Sequence, residues 1–171
     1  MKTVGVAAAL AVALVVAGSA LAAGGNKTML KADPLTGYQE GAGVSTIASG
    51  SYEATIDEDA STIDYTLSYS GLEAPVLFAH IHFGNRFTSG GVSAFLCGGG
   101  SKPACPQQGT VTGTVTAADV IGPTGQGIEP GAFAELVRAM RAGVTYTNVH
   151  STKFPGGEIR GQINDTNQRQ P

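Results

Sequence analysis

Tryptophan is absent, and the chain holds only two cysteines and three histidines in 171 residues. Two cysteines are too few for an all-cysteine zinc site or for a disulfide-dense scaffold. With three histidines, any imidazole cluster must draw on His80, His82 and His150. Charge is sparse as well: 10 Lys and Arg stand against 13 Asp and Glu, a formal net charge of −3. No basic stripe runs along the sequence, which argues against nucleic acid as a partner. Beyond the N-terminal segment there is no apolar run near the roughly 20 residues that a membrane span needs. Ser-His-Asp, phosphate-loop and paired-carboxylate arrangements are also missing.

What the sequence does contain begins with a processing signal. Lys2 precedes an apolar run from Val4 to Val16, and Ala20-Leu21-Ala22 offers small residues for cleavage. We assign residues 1–22 as a signal peptide, residues 23–164 as one domain and residues 165–171 as a flexible polar tail. The chain left after cleavage, of about 150 residues, suits one domain with its own core. Secretion or release into a periplasm follows from the signal, and with it an oxidising environment. Cys97 and Cys105, separated by a Gly-rich spacer, are therefore expected to form a disulfide.

The remainder reads as all-β. Ile63, Tyr65, Leu67 and Tyr69 alternate with polar residues from Thr62 to Ser70, the period of a half-buried strand. Ser49–Asp57 is its expected partner. Further strands are expected at Thr28–Ala32, Val76–Phe83, Val92–Leu96, Gly109–Val115, Val144–His150 and Glu158–Ile163. Short strands with such punctuation point to a Greek-key β-sandwich or barrel, immunoglobulin-like or superoxide-dismutase-like. One short helix interrupts them: Phe133, Leu136, Val137 and Met140 recur at helical spacing, with Pro130 suited to the first turn and Gly143 to the C-terminal end.

Alternation also places the histidines. His80 and His82 share one face of their strand, opposite Ala79 and Ile81. Pairing Asn148 with Arg160 and Tyr146 with Gln162 in a C-terminal hairpin separates polar from apolar faces cleanly, and a one-residue slip would mix them. His150 then lies on the polar face beside Glu158. Three imidazoles suit copper, with zinc second, whereas Mg²⁺ and Ca²⁺ prefer oxygen. Protonation near the ordinary imidazole pKa of about 6.5 would release the ion. Glu158, Arg160 and Asn148 are candidates to support the ligands. Two alternatives stay open. Glu158 could instead pair with Arg160 or Lys153, and the histidines could simply hydrogen-bond across strands. The acidic turn Asp57-Glu58-Asp59 reads as solvated rather than as a Ca²⁺ site.

Three stretches carry a family resemblance: Ala79-His80-Ile81-His82-Phe83-Gly84, Gly143 to Ser151, and Pro155-Gly156-Gly157-Glu158-Ile159-Arg160-Gly161-Gln162. With Gly37-Tyr38-Gln39-Glu40 and Ala48-Ser49-Gly50, they resemble the CHRD domain, a module repeated in chordin and found alone in many microbial exported proteins. Ser151 replaces the family's usual Thr, and Gly41-Ala42-Gly43 stands where Pro is usual. The resemblance implies an extracytoplasmic β-sandwich and leaves its chemistry undefined. His80 to Gly84, followed by a Gly/Ser loop and Cys97, is also similar to the copper strand of Cu/Zn superoxide dismutases. The bridging histidine and the zinc loop of those enzymes have no counterpart.

The expected function is thus an exported interaction module, with an unidentified protein or small ligand as partner and a three-histidine copper site. A copper redox enzyme of dismutase type and a purely structural domain are the alternatives. The exported protein is expected to have the mass of the chain without residues 1–22, less two hydrogens for the disulfide. Unreduced mass spectrometry after alkylation checks both: an uncleaved chain or two alkylated thiols would contradict the reading.

Overall fold

The computed structural model describes residue 1 and residues 27–165; all but the first residue of the expected signal peptide and all but the first of the expected polar tail lie outside them. Eight strands form the architecture: β1 (Lys27–Thr36), β2 (Ser49–Asp57), β3 (Thr62–Ser70), β4 (Val76–Phe83), β5 (Gly91–Cys97), β6 (Gly109–Val115), β7 (Thr145–Ser151) and β8 (Ile159–Asp165). Among the described residues a single α-helix, α1 (Phe133–Arg141), precedes β7. β8 runs on to Asp165, which pairs with Leu30, so the strand includes the first residue assigned above to the tail.

The strands make one antiparallel sheet in the order β5-β4-β7-β8-β1-β2-β3-β6. The sheet curls until its two ends meet. Tyr65 on β3 reaches across and donates its hydroxyl to the Leu96 carbonyl on β5 at 2.6 Å. Across that seam the edge strands β5 and β6 come next to each other without a hydrogen-bonded ladder. The all-β expectation holds, in the form of a nearly closed barrel.

The period-two pattern explains which face fills the barrel. Ile63, Tyr65, Leu67 and Tyr69 of β3 are buried, as are Tyr52, Ala54 and Ile56 opposite them on β2. Leu30, Ile81, Val149, Ile159 and Ile163 come in from the other strands. β1 extends beyond the expected Ala32. Pro34 has no N–H to give the ladder, and the register with β2 shifts between Ala32 and Leu35 before pairing resumes. On α1, Leu136, Val137, Ala139 and Met140 turn inward to the same core. Pro130 falls before the helix rather than in its first turn, whereas Gly143 follows it with φ +68°, a conformation that glycine adopts without strain. Among the described residues, no helix is long and apolar enough to cross a membrane.

Cys97, at the end of β5, is bonded to Cys105 in the loop that leads to β6. This bond and the Tyr65 hydroxyl fasten the seam. Replacing Tyr65 with Phe leaves the Leu96 carbonyl buried without its partner and is expected to cost about 1–2 kcal/mol. Urea unfolding of the two proteins, compared at equal m-value, is the check.

Candidate metal centre

β4 and β7 lie side by side in a register that opposes Phe78 to His150, His80 to Asn148 and His82 to Tyr146. Alternate side chains of both strands therefore share one face. The opposite face carries Ala79, Ile81 and Val149 into the core. β8 continues the histidine face through Arg160, which pairs with Asn148, and Gln162, which pairs with Tyr146. This is the hairpin register expected from the separation of polar and apolar residues.

The structure brings His80, His82 and His150 together, with one ring nitrogen from each within 4.8 Å of the others. They are 4%, 7% and 5% exposed, so the centre is enclosed rather than a surface patch. Two of the rings are fixed by backbone carbonyls. The Gly90 carbonyl accepts from His82 Nδ1 at 2.9 Å, and the Pro155 carbonyl accepts from His150 Nδ1 at 2.9 Å. Each contact sets the tautomer and leaves Nε2 with its lone pair, the form a metal ligand needs. His80 Nδ1 lies 3.2 Å from His150 Nε2, and the Nε2 atoms of His80 and His82 are buried without a hydrogen-bond partner. Phe78 packs on His80 and His150, with ring centroids 4.7 Å apart in each case, and Phe95 of β5 packs on His80 at 4.4 Å. These apolar rings keep water from the nitrogens.

Burial decides the charge of the cluster. It pulls His80 down to about 3, helped by the neighbouring His150 and His82. It pulls His150 down to about 4 against the favourable Pro155 carbonyl, and lowers His82 despite the Gly90 carbonyl. All three rings are neutral at pH 7 and able to ligate.

The polar face of β7 and β8 has a second task, which is to hold a roof over the rings. Arg160 donates to the carbonyls of Thr88 and Asn85, both at 2.9 Å, and Gln162 donates to Gly84 O at 3.0 Å. The Tyr146 hydroxyl accepts from the Gly90 N–H at 3.1 Å. Its ring stacks on His82 with centroids 4.6 Å apart, while the Arg160 guanidinium covers Tyr146 at 3.3 Å from the ring centre. The segment between β4 and β5 is thus pinned across the centre.

Two expectations need correction. Glu158 does not support His150. Its Oε1 accepts from Thr46 Oγ1 and from the Glu73 N–H, each at 2.9 Å, so its side chain turns to the other side of the hairpin. The strand begins only at Ile159, and Glu158 follows Gly157, whose φ of +122° breaks the alternation that placed the carboxylate. Nor does Arg160 pair with Glu158, and Lys153 pairs with Glu73 instead. The carboxylate near the centre is Glu40, 7% exposed, which burial raises to about 7 against the pull of Arg160 and Asn148. No local spacing links Glu40 to the histidine strands, because it sits in the connection between β1 and β2. Its only pointer in the sequence was the family-like Gly37-Tyr38-Gln39-Glu40.

These shifts fix a pH dependence. Below about 6.5 the unfolded chain protonates its histidines while the folded centre does not, so stability falls with pH by up to about 1.4 kcal/mol per unit for each ring. Glu40 opposes this between about 7 and 4.5, because its folded form keeps a proton that the unfolded chain releases. Stability is expected to decline from pH 6.5 to 5, and Glu40→Gln is expected to steepen the decline. Urea midpoints at pH 7, 6 and 5 measure both.

Comparison with known proteins gives one family. The CHRD domain model matches residues 32–163, a span that contains all three histidines, Asn148, Arg160 and the disulfide. No curated protein and no solved structure matches the chain. The likeness to the dismutase copper strand accordingly gains no support. With the match covering more than half of its length and the antiparallel fold in place, the chain belongs to the CHRD domain family.

Proposed function

We propose that this chain is an exported CHRD-domain binding module whose three-histidine centre takes copper. The observation that carries the copper reading is the orientation of the rings. Backbone carbonyls hold Nδ1 of His82 and of His150, which leaves their Nε2 lone pairs for a cation, that of His150 3.2 Å from His80 Nδ1, in an enclosed site whose rings are neutral. Imidazole donors favour copper over zinc at equal availability and reject Mg²⁺ and Ca²⁺. Export is supported by the signal-like N-terminus and the Cys97–Cys105 bond, which an oxidising compartment maintains. Its partner is an unidentified protein or small ligand, and nucleic acid is excluded from the reading by the net negative charge.

The depressed pKa values change the expected response to acid. Free imidazoles would release copper through about pH 6.5. Here His80 and His150 resist protonation until about 3 and about 4. Calorimetric titration with Cu²⁺ is expected to give one site whose affinity changes by no more than a few-fold between pH 7.5 and 5.5. The His80→Ala, His82→Ala double variant is expected to bind at least about 100-fold more weakly, while its melting profile shows whether it remains folded. Equal copper affinity in a folded double variant would leave the histidines a purely structural role.

A further inference from the structure

We propose that Asn148 is a fourth ligand, its amide oxygen closing the three-histidine centre against small molecules. The inference rests on the metal-binding reading above and concerns what completes the site. A neutral imidazole carries one N–H, and His150 commits it from Nδ1 to the Pro155 carbonyl. Its Nε2 is then a lone pair. Asn148 Oδ1 lies 2.9 Å from that same Nε2. Two lone-pair atoms at this distance repel, and a proton donated by His80 Nδ1, 3.2 Å from the same Nε2, eases only the nitrogen's side of the conflict. A cation shared by the two relieves the conflict.

The amide is oriented from behind. A Cβ placed on Gly157 would fall 2.7 Å from Asn148 Nδ2 and 2.3 Å from Glu40 Oε1, so the amide nitrogen and the carboxyl group lie against the same glycine. With Nδ2 facing Glu40, Oδ1 must face the rings. Asn148 is 1% exposed, stands two residues before His150 on the same strand face, and lies opposite His80 in the β4–β7 register. The Nε2 atoms of His80 and His82 remain buried and without partners. Three nitrogens and one amide oxygen make a four-coordinate shell. A shell filled by protein groups is the pattern of sites that hold metal, whereas sites that activate small molecules keep a position open.

Cobalt(II) is the probe, because its visible absorption reports coordination number. Cobalt bound to the wild-type protein is expected to keep its spectrum when azide is added. In Asn148→Ala the spectrum is expected to shift, cobalt affinity to fall about tenfold or more, and azide to change the spectrum further by entering the vacated position. Asn148→Asp keeps the side-chain volume and supplies an anionic oxygen, so it is expected to bind cobalt about tenfold tighter or more. A wild-type spectrum that responds to azide, or an Asn148→Ala protein indistinguishable from wild type, would overturn the fourth ligand while leaving the histidine site intact. If Asn148→Ala fails to fold, unchanged affinity and spectrum in Asn148→Asp overturn it equally. Failure of the wild-type protein to take up either cobalt or copper removes the centre itself and this inference with it.

Discussion

The antiparallel pairing of β4 with β7 is the constraint on which the site depends. The chain must carry His150 past β5, β6, two 3₁₀ turns and a helix before laying it beside His80, 70 positions earlier. The barrel makes that juxtaposition rigid. The two strands are flanked by β5 and β8, and their inward side chains Ala79, Ile81 and Val149 are completely buried. A slip of one residue would put Ile81 among the imidazoles and the histidines into the core, so the same hydrophobic energy that fixes the fold fixes the cluster.

Both faces of this part of the sheet are buried, which is unusual for antiparallel strands with one polar face. All seven residues of β7 are buried. The polar face avoids the usual desolvation penalty by satisfying its groups locally. Arg160, Gln162 and Tyr146 bond to backbone groups of the covering segment, and His82 and His150 bond to carbonyls. The imidazoles remain neutral, and Glu40 is pushed towards its neutral form. On this face the Nε2 atoms of His80 and His82 remain without a partner, as do Glu40 Oε1 and Gln162 Oε1.

The sequence was most legible where alternation is strict. The bounds of β2, β3, β4 and β6 and the register of the β7–β8 hairpin follow from the spacing of apolar residues, and they agree with the structure. The face shared by the three histidines was legible for the same reason. Glu158 was misplaced because it stands one residue outside β8, where Gly157 turns the chain and the period of two no longer applies. β1 was cut short because Pro34 interrupts its ladder without ending the strand. Glu40 and Phe95 escaped because their places at the site arise from tertiary contacts across the barrel. Asn148 was visible on the correct face, but which way its amide points depends on Glu40 and Gly157.

The pinned segment over the histidines also has a kinetic meaning. Arg160 holds two of its backbone carbonyls, Gln162, Tyr146 and His82 hold one backbone group each, and the rings below are almost closed to solvent. For an ion held by the rings, this cover would have to open before entry or exit. Exchange would then follow a local opening of the protein as well as the strength of the ligands. A bound ion would be retained through washes and weak competitors for as long as the roof stays shut, and loading would be fastest while the chain is still folding.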